Sequence, residues 1–428
     1  MFHSIISARA SRRLPTLSAS IAAAFLIPWG GTYAESLSFD AAITLAESDA
    51  PALIANAARV NGARAAAVSA GTLPDPNFTL GLDNLLVEGA DRFTFAGDSM
   101  TMQRIGIAQT FPSQSKLNAR VDAARGRVDL AEAQSHVTRL NLVRDTATTW
   151  IALQSVEKQL SRLDGLAEEN TLLKAAVVAR VTAGKASATE TLSPRLEAAM
   201  LDERRDELRA QRAQLIATLR RLIGPAADFP LAGSAPTWEI TGQALHHTLH
   251  QHPDITVFGP QGRILSADIA EAEAAKKLDW TLGFTYENRA AIYGDMLSIQ
   301  VSFDLPFFPG TRQNPHIQAK RAEQSMIVAE REQMLREHAW NLETELVRYA
   351  RLTQAAKRQR EIFLPLANEK VTLTLAAWRG AQTSLTELVN ARRERIDAEL
   401  KTLTLEGERQ QLAASLHYGY GTFTGEQP

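Results

Sequence analysis

A long stretch of this chain occurs twice, and the repetition constrains the fold more than any local motif. Residues 51–81 (PALIANAARVNGARAAAVSAGTLPDPNFTLG) return as residues 253–283 (PDITVFGPQGRILSADIAEAEAAKKLDWTLG). Pro51 matches Pro253, Phe78 matches Trp280, Leu80 matches Leu282 and Gly81 matches Gly283 at one constant offset. Further on, Asn118/Asn314, Ala123/Ala319, Arg125/Arg321, Gly184/Gly380 and Leu192/Leu388 share a slightly shorter offset, so one loop is longer in the first half. Each half reads as a helix, two strands, a very long helix and a shorter returning helix.

Residues 1–34 carry a basic start (Arg9, Arg12, Arg13), an apolar run around Ile21–Ile27 and small residues before Glu35. This pattern predicts a secretory signal peptide. Its removal makes the remaining chain more acidic, which argues against a nucleic-acid partner. There is no cysteine, so an exported chain of this size has to hold together by packing alone. No later segment is apolar enough for a membrane helix; entry into a membrane would have to be by strands.

The strands suit that role. Trp280, Leu282, Phe284 and Tyr286 alternate with Thr281, Gly283, Thr285 and Glu287. After a turn at 293–295, Leu297, Ile299, Val301, Phe303 and Leu305 alternate with polar residues. Period two predicts a sheet with one apolar and one polar face, at about the length of ten residues that crosses a bilayer at a tilt. In the first half, Phe78, Leu80 and Leu82 alternate cleanly. The partner strand, 101–111, keeps Ile105 and Ile107 but carries Arg104, which is expected on a wet side. An ordinary soluble hairpin packed on helices shows the same local pattern.

The helices favour the membrane reading. A helical pattern runs from about Ser113 to Thr182, with Leu130, Ala133, Val137 and Leu140, then Leu153, Val156, Leu160 and Leu163, at coiled-coil spacing. The second copy runs from about Thr311 to Arg379. Such helices are about 100 Å long, and each stops at a short glycine turn, Ala183-Gly184-Lys185 or Arg379-Gly380-Ala381. Glycine suits the left-handed position that ends a helix. The leading helix (about 38–71) and the returning helix (about 185–222) together match the long one in length; so do 242–276 and 381–417. Pro194 and Pro365 fall inside the expected helices, where each should kink or break its helix.

The organisation that follows is a signal peptide (1–34), a first repeat (35–223), a linker (224–242), a second repeat (243–418) and a tail (419–428). Two strands per half make four per chain, too few to close a barrel. An open edge is not tolerated in lipid, so the barrel is expected to be shared: three chains would supply about twelve strands.

With these features the chain resembles the TolC-like outer-membrane efflux proteins. The matching pieces are Pro74-Asp75-Pro76 before the first strand, Gln109-Thr110-Phe111-Pro112 and Asp304-Leu305-Pro306 at strand ends, and the two glycine tips. The resemblance implies a mainly α protein with a membrane β-barrel: a homotrimer whose long helical hairpins form a periplasmic α-barrel beneath a shared 12-stranded barrel in outer-membrane lipid. It implies docking of the tips (Gly184, Lys185, Gly380, Ala381) onto a periplasmic adaptor bound to an inner-membrane RND transporter. It also implies a periplasmic gate, for which Arg180 and Glu190 match the first-half pattern. In the second half Thr386 and Val389 replace expected acidic residues, and Glu387 stands one place off. Asp83-Asn84-Leu85 and residues 98–112 look most like the CzcC-like branch, which works with heavy-metal RND pumps. Drug or solvent efflux and type I protein secretion are the alternative cargoes. A soluble periplasmic coiled-coil scaffold is the alternative of another class.

No cofactor and no catalytic motif is expected. His246, His247, His250 and His252 cluster, and His246 with His250 has the i,i+4 spacing that can chelate a cation. Without a nearby cysteine or carboxylate such a site would be incomplete, and the cluster is better read as an exposed helix start. The run 202–209 mixes both charge signs at helical spacing, as a solvated face does.

Overall fold

A computed structural model of the chain describes residues 36–95, 97–290 and 292–421. The expected signal peptide and residues 422–428 of the expected tail lie outside the described residues.

The first half runs β1 (Leu37–Ser38), α1 (Phe39–Ser48), α2 (Pro51–Ser69), β2 (Asn77–Asp83), β3 (Met102–Phe111), α3 (Gln114–Thr182) and α4 (Leu192–Ile223). β4 (Leu231–Ala232) lies in the connection. The second half runs α5 (Gly242–Thr248), α6 (Pro253–Thr256), α7 (Phe258–Ala274), β5 (Trp280–Asn288), β6 (Met296–Phe303), α8 (Gln313–Arg358), α9 (Leu364–Arg379) and α10 (Leu385–Tyr420). A π-turn at Gln359–Phe363 joins α8 to α9 without a break.

Local chemistry sets the boundaries. The Ser38 hydroxyl accepts the Ala41 N–H at 3.1 Å and starts α1. Pro51 opens α2 at a position where its missing N–H costs nothing. The single leading helix expected over 38–71 is therefore two helices, and the one expected over 242–276 is broken again at Pro253. The prolines behave differently from each other. Pro365 follows directly on the π-turn, the irregularity expected there. Pro194 sits in the first turn of α4, where helical N–H groups have no intrahelical acceptor, so it leaves that helix unbroken.

β2, β3, β5 and β6 form one antiparallel sheet in that order. The halves therefore meet strand to strand, with Phe111 opposite Trp280 and Ile107 opposite Phe284. The register puts Phe78, Ile107, Phe284 and Ile299 in one row across the sheet and Leu80, Ile105, Tyr286 and Leu297 in the next. The other face carries Thr79, Gly106, Thr285 and Ser298, then Gly81, Arg104, Glu287 and Met296. Arg104 lies on this face, as expected, and pairs with Asp83 at 2.8 Å.

The helices pack in a separate layer below the sheet. The Asp279 carboxylate, just before β5, accepts the Ser113 N–H and the Lys116 ammonium, each at 2.8 Å, and so ties the start of α3 to the second hairpin. A Cβ at Gly126 would come within 2.8 Å of Ile264, so α3 and α7 approach too closely there for any side chain. The largest core gathers Leu37, Phe39, Trp150, Ile151, Leu219, Leu222 and Ala414. Phe39 meets Trp150 edge-on at 5.4 Å, and the Trp150 indole N–H donates to the Leu37 carbonyl at 3.3 Å. The connection is docked here rather than loose, because β4 pairs in parallel with β1.

Candidate functional site

Four places among the described residues stand out: the helical tips, an ionic chain above them, a histidine–aspartate cluster, and the apolar face of the sheet.

The first tip is a Schellman turn. The Lys185 N–H donates to the Arg180 carbonyl at 2.9 Å and the Gly184 N–H to the Val181 carbonyl at 3.0 Å. Gly184 has φ +69°, as a left-handed stop requires. The second tip has the same bonds one residue later: Gln382 N–H to the Ala377 carbonyl at 2.8 Å and Ala381 N–H to the Trp378 carbonyl at 3.1 Å. Its left-handed residue is Ala381, at φ +55°. Gly380, the expected counterpart of Gly184, has φ −77° and is the last near-helical residue. The π-turn explains the slip. A turn closed i to i+5 holds one residue more than an α-turn, so beyond it the halves correspond at an offset one larger than before.

That register reassigns the acidic residues. Ser187 and Glu190 form a capping box, the Ser187 N–H donating to the Glu190 carboxylate at 3.2 Å. Ser384 and Glu387 have the same spacing but a different bond: Ser384 Oγ accepts the Glu387 N–H at 3.3 Å, and the Glu387 carboxylate accepts the Thr383 hydroxyl. Glu387 thus occupies the position of Glu190 within the repeat. Arg180 does not pair with Glu190 within the chain. Its guanidinium lies 4.5 Å from the centroid of the buried Trp378 ring and donates to the Trp378 carbonyl at 3.0 Å, holding the two tips together. Leu173, Val177, Leu385, Leu388 and Val389 pack around that contact.

Above the tips, six charged groups alternate between α3, α4 and α10. Arg392 donates to Glu197 at 2.9 Å, both side chains less than one-tenth exposed. Arg392 also faces Glu169 at 3.8 Å. Glu169 contacts Arg395, and Arg395 faces Glu399 at 3.9 Å. Arg162 grips Glu399 with two bonds of 2.7 Å. Those bonds, against partial burial, raise the Arg162 pKa. Sequence reading missed this chain because its members are far apart along the sequence. The run 202–209 was legible: Arg205–Asp202 and Arg209–Asp206 are local pairs, although Arg204 also reaches Asp397 at 2.8 Å.

His246 and His250 are not brought into a site. Both are exposed, and α5 ends between them, with His250 in a 3-10 turn. The histidine that finds partners is His252. It is buried beside Asp254 and His338, a residue far away on α8. Burial, then the neighbouring His338, pushes the His252 imidazole down to about 4, so it is neutral at pH 7. A hydrogen bond from His338 holds Asp254 below the ordinary carboxylate range, against burial.

On the sheet, the apolar rows are uncovered: Phe78, Leu80, Leu297 and Ile299 are each more than three-fifths exposed. Among the described residues the outer edges of β2 and β6 pair with nothing. No helix among them is long and apolar enough to cross a membrane.

Residues 42–225 match a family model described as outer membrane efflux protein. No curated protein matches the chain. Among solved structures, the chain is similar to a membrane protein from Pseudomonas aeruginosa (18% identity, 90% of each chain, TM-score 0.77). It is similar to CusC (17% identity, 90% of this chain and 92% of that one, TM-score 0.77), whose structures concern folding and transmembrane channel formation. It is also similar to the outer membrane protein VceC from Vibrio cholerae (16% identity, 90% and 96%, TM-score 0.74). At these identities the shared property is the fold. The matched family model describes a transport protein rather than an enzyme.

Proposed function

We propose that the chain is an outer-membrane efflux channel of the TolC-like type, acting as a trimeric exit duct for a tripartite pump. The observation that carries this reading is the sheet. It has one apolar, uncovered face, one polar face and two unpaired edges. A bilayer accepts strands only in a closed barrel. Four strands from each of three chains, twelve in all, close one wide enough for a lumen. Arg104, Asp83, Thr285 and Glu287 then face water, and Phe78, Leu80 and Ile299 face lipid. Phe111, Trp280 and Phe303 stand in one cross-strand row where the sheet meets the helices, the position of an interfacial aromatic girdle.

The helices support the same assembly. Trp340, Val347, Leu366 and Leu373 project exposed along α8 and α9, and neighbouring protomers in a helical barrel would cover them. The tips at Gly184, Lys185, Gly380 and Ala381 lie farthest along the chain's helices from the strands, and they are the surface for a periplasmic adaptor on an inner-membrane RND transporter. The gate reading changes in detail: Arg180 acts through Trp378, while Glu190 and Glu387 shape the tip turns as caps. The motif Asp83-Asn84-Leu85 at the end of β2, together with residues 98–112, favours the heavy-metal branch as cargo class.

Native mass spectrometry of the detergent-solubilised protein tests the assembly, with a single three-chain species expected. Recovery from the soluble periplasm as a stable monomer would overturn the duct and favour a coiled-coil scaffold.

A further inference from the structure

We propose that His252, Asp254 and His338 form a binding site for a divalent transition-metal cation of the zinc class. The proposal stands on geometry and does not rest on the efflux reading. His252 caps the start of α6, Asp254 lies in its first turn, and His338 comes from the middle of α8. One potential ligand atom from each lies within 4.8 Å of the other two. His338 Nε2 is 3.3 Å from Asp254 Oδ2, and His252 Nδ1 is 3.7 Å from the same oxygen. Ligands about 2.0–2.1 Å from a tetrahedral zinc stand about 3.3–3.4 Å apart along each edge. The two measured edges therefore need only small side-chain movements.

The donor set selects the metal class. Two imidazoles and one carboxylate suit Zn²⁺ and its late first-row neighbours. Calcium and magnesium ask for more oxygens than the three residues offer. His252 is buried and His338 nearly so, whereas Asp254 is about one-third exposed, which leaves the fourth position facing water. The His252 ring is also hydrogen-bonded to the Gly419 backbone, the kind of outer contact that orients a ligating histidine. Two features oppose binding. The Asp254 N–H donates to His252 Nδ1 at 3.2 Å, a bond the metal has to replace. The positive charge of Arg144 also acts on both His252 and Asp254, and it acts on the Glu345 carboxylate, of the opposite sign, as well.

The repeat indicates that these residues are not required by the scaffold. At the repeat offsets, the first-half counterparts of His252, Asp254 and His338 are Ala50, Ala52 and Leu142. The first half carries apolar residues at all three positions. The second half places a ligand set there, next to the last turn of α10, where Tyr420 packs within 5.5 Å of the His252 ring centroid.

The test is isothermal titration of the purified detergent-solubilised protein with Zn²⁺ alone, together with visible spectroscopy after Co²⁺ loading. One tight cation per chain and the intense absorption of tetrahedral cobalt are expected. Asp254→Asn and His338→Gln should each weaken binding at least about 10-fold, while the double variant His246→Ala with His250→Ala should leave it unchanged. His338→Gln removes a ligand at the edge of the core, so it keeps the test open if a His252 variant does not fold. No saturable binding in the parent would overturn the proposal. So would binding that survives Asp254→Asn and His338→Gln, or that is lost with His246 and His250.

Discussion

The two tips make a quantitative prediction because they share one turn but place glycine differently in it. Gly184 occupies the left-handed position of the first turn, and a Cβ there would meet nothing within 4 Å. Any effect of Gly184→Ala is therefore a backbone effect, about 1–2 kcal/mol for an L-residue held left-handed. Gly380 is near-helical, and its Cβ would meet only ordinary contacts, the nearest being the Ala377 carbonyl at 3.5 Å. Gly380→Ala should cost nothing and gain a few tenths through the unfolded chain. Ala381 already bears the strain, so Ala381→Gly should relieve about 1 kcal/mol. The assay is hydrogen exchange of the four turn amides, those of Gly184, Lys185, Ala381 and Gln382. One to two kcal/mol changes a local opening constant about 5–30-fold. Gly184→Ala should accelerate exchange at the first turn by that factor, Gly380→Ala should leave the second turn unchanged, and Ala381→Gly should slow it. Equal acceleration by Gly184→Ala and Gly380→Ala would show that the register drawn through the π-turn is wrong.

Deleting one residue within 359–363 should convert the π-turn to α-helix with less than about 1 kcal/mol lost, whereas a one-residue deletion in the middle of α3 should rotate its buried face outward and abolish folding; thermal melts of the two variants compare them directly. At the buried pair, Arg392→Met alone should destabilise by about 3–5 kcal/mol and Glu197→Leu with Arg392→Met by far less, since the loss lies in the uncompensated charge; a double variant as unstable as the single one would contradict this. Burial raises the Glu345 pKa, only partly offset by Arg144 and Arg348. The folded state therefore favours its protonated form, a contribution complete below the unfolded value near 4.5 and lost as pH rises through the folded one. Glu345→Gln should melt higher than the parent at pH 7.5, with the gap closing toward pH 4.5, and a pH-independent gap would exclude this origin.

What was readable beforehand follows the range of the forces. Trp280, Leu282, Phe284 and Tyr286 alternate because one face of β5 is apolar and the other polar, so the strand is written into consecutive residues. α3 was readable because no proline or glycine pair interrupts 113–182. The π-turn was not, because a single surplus residue inside a helical pattern leaves the composition unchanged. That invisibility is why Gly380 looked equivalent to Gly184. Glu197 with Arg392, and Asp254 with His338, lie far apart in the chain and meet only through tertiary packing. His246 and His250 had the better local spacing and lost it when α5 ended between them.

The docking of β4 on β1 also bears on the order in which the molecule can mature. Phe39 touches Trp150, then Trp238 at 5.8 Å, then Tyr418 at 6.5 Å, residues spread over almost the whole chain. A chain made from its N-terminus presents Phe39 early and Tyr418 nearly last. The central core therefore stays open until synthesis is almost finished, and closing it joins segments of high sequence separation, which is slow. Throughout that interval the apolar rows of the sheet are exposed. The last turn of α10 acts as a latch on this core: a product cut short before Tyr418 leaves Phe39 and Trp238 without the aromatic ring that closes over both.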